Sequence, residues 1–218
     1  MAGSGLELVG LALHAASFLC GVICASALTV TQGEFGGRCI LYGSVVNNGS
    51  LVLSATSPAS LCNFVSTVSI LTAILSFVAL LRGIYRSCFG NGHPLDGVWV
   101  KGSLSVSAVV LFFLMVSACI LRVGMDAFCT SIHQAVAAIS CQEAQHQPWV
   151  SPYHSERFYD NLYTAEAAAW VNFFFWCLMS VMVFMEWFSK APSGPLRGSG
   201  LSRTEETDPI FGAGPLRP

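Results

Sequence analysis

The stretch LVGLALHAASFLCGVICASALTV, from Leu8 to Val30, contains no Asp, Glu, Lys or Arg. An α-helix rises ~1.5 Å per residue, so ~20 apolar residues cross the ~30 Å hydrocarbon layer of a bilayer. Three more runs share this character: Phe64–Leu81, Gly102–Leu121 and Ala167–Met185. Hydrocarbon offers no water to an unpaired backbone group, so such runs satisfy their own N–H and C=O groups as helices. The fold class expected is an all-α membrane protein, a four-helix transmembrane bundle. Composition agrees: 54 % of the 218 residues are hydrophobic and 10 % charged, against about 25 % charged in soluble domains. Too little chain remains outside the bilayer for a soluble catalytic domain. The net charge of −2 gives no electrostatic case for nucleic acid.

Four spans place both termini on one side. The four-pass domain is expected over residues 1–190, with outer loops 31–63 and 122–166. Arg82, Arg86, Lys101, Lys190, Arg197, Arg203 and Arg217 fall on the terminal side, and only Arg38, Arg122 and Arg157 on the other. Cytoplasmic segments carry the excess of Lys and Arg, so this bias predicts cytosolic termini. The tail 191–218, rich in Pro, Gly, Ser and charge, reads as a disordered cytosolic segment. A competing reading takes Ala25-Ser26-Ala27 as a signal-peptidase site. The preceding run exceeds a usual ~7–15-residue signal core, and no Lys or Arg precedes it, so a retained first span is favoured.

The cysteines sort by side. Cys39 and Cys62 lie in the first outer loop and Cys129 and Cys141 in the second, an even set on the oxidising face that predicts two disulfides. Three connectivities are open, and loop-closure entropy favours pairing within each loop. Between Cys39 and Cys62, two β-favouring runs, Ile40–Val46 and Ser50–Ser54, flank Asn47-Asn48-Gly49. Asn-Gly tolerates the positive φ of a tight turn, so a small extracellular β-hairpin is expected. Asn48-Gly49-Ser50 is also an N-glycosylation sequon in that exposed turn. Cys88, just past the second span, is a candidate for S-palmitoylation.

In the second outer loop, Arg122–Asp126 extends the third span with an i,i+4 ion pair, Ser131–Ser140 has helical spacing, and Gln147–Pro152 reads as a turn. Glu156–Glu166 is expected to lead helically into the fourth span. His133, His146 and His154 match no compact ligand spacing, so no metal site is expected. Within the spans, His14 shares a helical face with Gly10, Gly21 and Ala25 and should point into the bundle. Asn172 shares one with Ala165, Ala168 and Met179, and Ser103, Ser107 and Ser117 form a stripe on the third span. Such groups join helices by hydrogen bonds. A small transporter or channel with His14 and Asn172 lining a path is the alternative, yet no span contains Pro or a second ionisable residue at comparable depth.

Several short words carry a family resemblance: Phe18-Leu19-Cys20-Gly21, Thr31-Gln32-Gly33, Gly37-Arg38-Cys39 with Leu41-Tyr42-Gly43, Ser60-Leu61-Cys62, and Val116–Arg122. Ile139-Ser140-Cys141 with Glu143-Ala144-Gln145, Ala165-Glu166 and Trp170-Val171-Asn172 continue it. Together they resemble the transmembrane protein 179 family, in its B branch, itself distantly similar to the claudin-like tetraspan superfamily. The resemblance implies a left-handed four-helix bundle carrying a small extracellular sheet. The claudin first-loop Gly-Leu-Trp signature is absent, so junction-forming and ion-selective roles do not carry over. No catalytic motif and no cofactor motif is present. The function expected is that of a non-enzymatic scaffold or accessory protein in the plasma membrane or secretory and endosomal membranes. Its partners would be the lipid bilayer and another membrane protein or a second copy of itself, engaged through disulfide-stapled outer loops.

Overall fold

Hydrocarbon-length helices dominate a computed structural model that describes residues 2–89, 97–136, 139–151, 153 and 156–190. In chain order the elements are α1 (Ala2–Glu34), β1 (Cys39–Asn47), β2 (Leu51–Ser57), α2 (Ala59–Phe89), α3 (Gly97–Ala135), a 3₁₀ turn (Glu143–His146) and α4 (Phe158–Lys190). All four helices are long and apolar enough to cross a membrane. Each exceeds the uncharged run that announced it, because a helix continues into the interfacial region where water and headgroups solvate charged side chains. The tail 191–218 and His154 lie outside the described residues.

α1 packs along both α2 and α4, and α3 runs beside α4 with a lesser contact to α2. The outward faces are as apolar as the inner ones. Leu19, Ile74, Phe112, Phe174 and Val181 are all exposed. Around a soluble protein that surface would aggregate, whereas in lipid it is the correct solvent match. Helix association here rests on close backbone approach and interhelical hydrogen bonds. Gly21 supplies the approach: a Cβ there would lie 2.8 Å from the Ser69 carbonyl and 3.0 Å from the Ala73 Cβ. Gly21→Ala is therefore expected to push α1 from α2 and cost about 1–3 kcal/mol. Gly33→Ala, with nothing within 4 Å, should leave stability unchanged within ~0.5 kcal/mol or raise it. Thermal unfolding of the two variants in detergent compares them directly, and equal midpoints would show that the α1–α2 contact tolerates the added methyl.

β1 and β2 form a two-stranded antiparallel sheet in which Val45 faces Leu53, Val46 faces Val52 and Asn47 faces Leu51. The hairpin turn forms where Asn-Gly stands. Gly49 takes φ 91°, and its N–H donates to the Asn47 side chain at 3.0 Å. Strand alternation is broken lower down, where Cys39, Ile40 and Leu41 are buried in succession. Tyr42 has φ 59°, and the register shifts between Cys39 and Ser44. This irregularity turns two adjacent apolar residues inward, which a regular pleat does not allow. Gly43 sits where a Cβ would lie 2.9 Å from the Ile40 carbonyl.

α3 is longer than its sequence pattern suggests. It continues through Arg122 and Asp126 to Ala135, so residues expected to begin the second outer loop form a helical pillar for the sheet. Phe128 and Ile132 are buried on that pillar, and burial of this apolar stripe joins the expected extension at Arg122–Asp126 and the helical spacing from Ser131 into one continuous helix. The helical spacing anticipated for Ser131–Ser140 ends at Ala135. Of the stretch read as a turn, Gln147–Pro152, residues 147–151 are described and do more than turn the chain. Trp149 bridges Leu51, with the Leu51 N–H donating to the Pro148 carbonyl and the Val150 N–H to the Leu51 carbonyl, each at 3.2 Å.

Candidate functional site: an outer cap above a polar bundle core

Two disulfides close the outer loops. Cys39 at the start of β1 bonds Cys62 in the first turns of α2, with Cα atoms 5.8 Å apart. Cys129 on the α3 pillar bonds Cys141, with Cα atoms 5.2 Å apart. Pairing is thus within each loop. The first bond ties the hairpin base to α2, and the second folds the end of α3 back toward the 3₁₀ turn. Cys20, Cys24, Cys88, Cys119 and Cys177 are free thiols, and Cys88 is exposed at the end of α2.

An aromatic hub joins the two closed loops. Phe158, the first residue of α4, lies 5.7 Å from Phe128, 5.7 Å from Trp149 and 6.0 Å from Phe35, all in edge-to-face geometry. Phe35 also meets Trp149 at 5.5 Å and Tyr153 at 5.8 Å. Edge-on pairs set the positive ring edge against a negative face and add to area burial. Trp149 keeps its indole N–H satisfied by donating to the Ala144 carbonyl at 2.9 Å. The Val45 N–H donates to the Ser131 hydroxyl at 2.8 Å, pinning the sheet to α3. This hub is continuous with the outer half of the bundle, through Leu28, Val65, Leu121 and Leu162. The cap therefore shares the core of the spans and is not a separate domain.

A capping box starts the 3₁₀ turn. The Ser140 hydroxyl accepts from the Glu143 N–H at 3.2 Å, while the Glu143 carboxylate accepts from the Ser140 N–H and hydroxyl, each at 3.0 Å. The Ser140-x-x-Glu143 pattern is legible in the sequence as a helix start, although the stretch reads there as the end of a helix. The Ser140 N–H, followed by its hydroxyl, holds the Glu143 carboxyl below its ordinary range. A depressed carboxyl stabilises above its unfolded value and loses that contribution as pH falls through its folded value. The box should thus persist at neutral and mildly acidic pH.

Below the cap, polar side chains meet between α1, α2 and α4. Asn172, 2 % exposed, accepts from the Ser17 hydroxyl at 2.7 Å and donates to Thr72 at 3.5 Å. Ser17 and Ser76 share a hydrogen bond of 2.8 Å, and Ser69 donates to Cys24 at 3.3 Å. Such bonds average ~0.6 kcal/mol and reach ~1–2 kcal/mol in lipid. Asn172→Leu removes two of them, leaving Ser17 only its bond to Ser76 and Thr72 only its bond to the Ser69 carbonyl, so a loss of about 1–2 kcal/mol is expected in detergent unfolding. No loss would mean that the layer contributes nothing to helix association.

His14 is half-buried on α1, with Nδ1 enclosed and unpaired, and it takes no part in the hydrogen bonds that join Ser17, Thr72, Ser76 and Asn172. In the α3 stripe Ser107 and Ser117 are buried, whereas Ser103, near the N-terminal end of the helix, is exposed. The Arg122 guanidinium pairs with Asp126 at 3.1 Å as its spacing requires. It also reaches Glu166 on α4 at 3.3 Å, a long-range contact that local spacing does not show. Among the described residues no group of three or more His, Cys, Asp or Glu side chains could hold a metal ion.

Four apolar spans capped by a two-stranded sheet on a disulfide define a multi-pass membrane protein of claudin-like architecture. Comparison with known proteins gives the family. The Transmembrane protein 179/179B Claudin domain matches residues 6–211. The chain is 44 % identical to Transmembrane protein 179B of Homo sapiens, covering 98 % of both chains. It is 40 % identical to the Mus musculus protein of that name over 97 % of both chains, and 38 % to that of Danio rerio over 94 % of both. The chain belongs to the transmembrane protein 179/179B family. No solved structure matches it.

Proposed function

We propose that the chain is a non-enzymatic membrane scaffold or accessory protein that presents its outer cap to another membrane protein or to a second copy of itself. One observation carries this reading: both outer loops are disulfide-closed and then joined through the Leu51–Trp149 bridge and the Phe158 hub. An ordered outer surface of this kind is preorganised, so little loop entropy opposes association. The bundle supports the same reading because its central polar groups bond one another. Charge bias supports cytosolic termini, in a plasma, secretory or endosomal membrane. In that orientation Asn48 faces the glycosylating compartment and Cys88 the acylating one. The bilayer is the surrounding solvent, and the reading calls for no cofactor and no nucleic acid.

Crosslinking in intact membranes, followed by capture in mild detergent, tests the proposal. A reproducible partner or homo-oligomer lost on Val46→Asp at the exposed hairpin tip is expected. Repeated capture of neither would overturn it. For the alternative, a small transporter, flux in reconstituted vesicles that disappears with His14→Ala would be the decisive support. Unchanged flux would remove His14 from any path.

A further inference from the structure

We infer that the cleft beside the hairpin tip is a saccharide subsite, and that its occupant is the core of an N-glycan carried by this chain's own Asn48. The inference rests on the proposed orientation, which puts Asn48 on the glycosylating side. Three observations lead to it. Asn48 is exposed in the turn, whose Asx bond is made by the Asn47 side chain instead, so the Asn48 amide is left outside that contact. The strand following the turn is fastened to the second loop, since Leu51 exchanges main-chain bonds with Pro148 and Val150. Two residues, Gly49 and Ser50, separate Asn48 from Leu51, a reach of at most about 11 Å, and the turn shortens it. Pro148 is itself part of the wall of an open cleft of about 650 Å³.

The chemistry of that wall suits a sugar. Trp149 and Tyr153 contribute aromatic surface, and His146, Gln147, Glu156 and Arg157 surround them with donors and acceptors. A pyranose ring has one face of C–H groups that covers an aromatic surface and a rim of hydroxyls. The N-acetyl group adds an amide donor and acceptor. Amide, imidazole, carboxylate and guanidinium groups can each bond that rim. A purely lipidic ligand would leave these charged and amide groups unpaired, at a desolvation cost. The volume lies within the ~300–1,000 Å³ range of pockets for small ligands.

Attachment forms a C–N bond between Asn48 Nδ2 and the anomeric carbon of the first N-acetylglucosamine. A lipid-pyrophosphate-linked oligosaccharide is the donor, an amide proton is lost, and the lipid pyrophosphate leaves. Docking of the first two sugars would then fasten hairpin tip to second loop from outside, above the Leu51 bridge. The attached sugar needs no free ligand concentration, because its tether supplies a high effective one.

The test uses the full-length protein purified from mammalian membranes into detergent. Wild type is compared with wild type trimmed to a single N-acetylglucosamine, with Ser50→Ala, which destroys the sequon, and with the Glu156→Ala/Arg157→Ala pair at exposed positions. Backbone hydrogen exchange over residues 145–157 and native-state endoglycosidase cleavage are the readouts. Trimming and Ser50→Ala are each expected to speed exchange there several-fold, and the Glu156/Arg157 pair to accelerate native cleavage several-fold. A mobility shift on deglycosylation with unchanged exchange and cleavage would overturn the docking and leave the orientation intact. No mobility shift in wild type would remove both the glycan and this support for orientation. Adding free chitobiose to Ser50→Ala separates the sources of the sugar. Protection that appears only with free sugar, and never in glycosylated wild type, would assign the cleft to a glycan of another molecule and overturn the inference.

Discussion

Phe158→Ala is expected to destabilise the protein by about 3–5 kcal/mol, the range for removing a large aromatic side chain from a core. Phe158 is 1 % exposed and touches three aromatic rings that come from the turn after α1, from α3 and from the second outer loop. Its loss leaves a cavity where the turn after α1, the α3 pillar and the second outer loop meet, and a close-packed core fills such a void only partly. Phe174→Ala is the control. That side chain is 58 % exposed on the face turned to lipid, so about 0.5 kcal/mol or less is expected. Unfolding midpoints in one detergent should separate the two clearly. Equal midpoints would sink the hub as the centre of the cap.

Replacing Cys39 and Cys62 together by Ala should cost about 3.5–5 kcal/mol. The bond closes a separation of 23 residues, and restricting a loop of that size in the unfolded chain is worth about 3.4 kcal/mol by chain entropy alone. Both half-cystines are buried, so packing is lost as well. The Cys129–Cys141 bond closes 12 residues and should be worth slightly less, about 2.8 kcal/mol. Hydrogen exchange gives a spatial check: the Cys39/Cys62 variant should free the hairpin amides while the α4 amides around Trp176 remain protected. A hairpin that stays protected without the bond would show that the Leu51–Trp149 bridge and the Ser131 contact suffice alone.

The parts of this protein that local chemistry decides are legible in its sequence. The spans follow from the solvent that uncharged runs of this length require, and the turn follows from the φ that Asn-Gly permits. Within-loop disulfide pairing follows from the entropy of closing short loops. Asn172 could be placed on an inward face because its small neighbours, Ala165 and Ala168, recur at helical spacing. The limits of such reasoning show at α3. Arg122 and Asp126 read as a helical extension with a local i,i+4 pair, yet Arg122 is also held by Glu166 from α4, and the helix continues unbroken to Ala135. The same holds for Ile40 and Leu41, whose joint burial needs the positive φ of Tyr42. That conformation is unfavourable locally and is sustained by what surrounds it. Gly124 allows this, since a Cβ there would lie 3.0 Å from Leu41 and 3.1 Å from the Tyr42 ring.

By itself, then, the sequence determined a four-pass chain and a hairpin between its first two spans, both consequences of solvent matching and short-range stereochemistry. Only the tertiary structure decided that the two outer loops form one cap. Leu51 must find Trp149, and Phe158 must find Phe35 and Phe128, across separations at which no periodicity or loop-entropy rule chooses a partner. Those contacts exist because the four helices, held by Gly21 and the Asn172 layer, bring their outer ends close enough for buried aromatic surface to outweigh the entropy of ordering the loops.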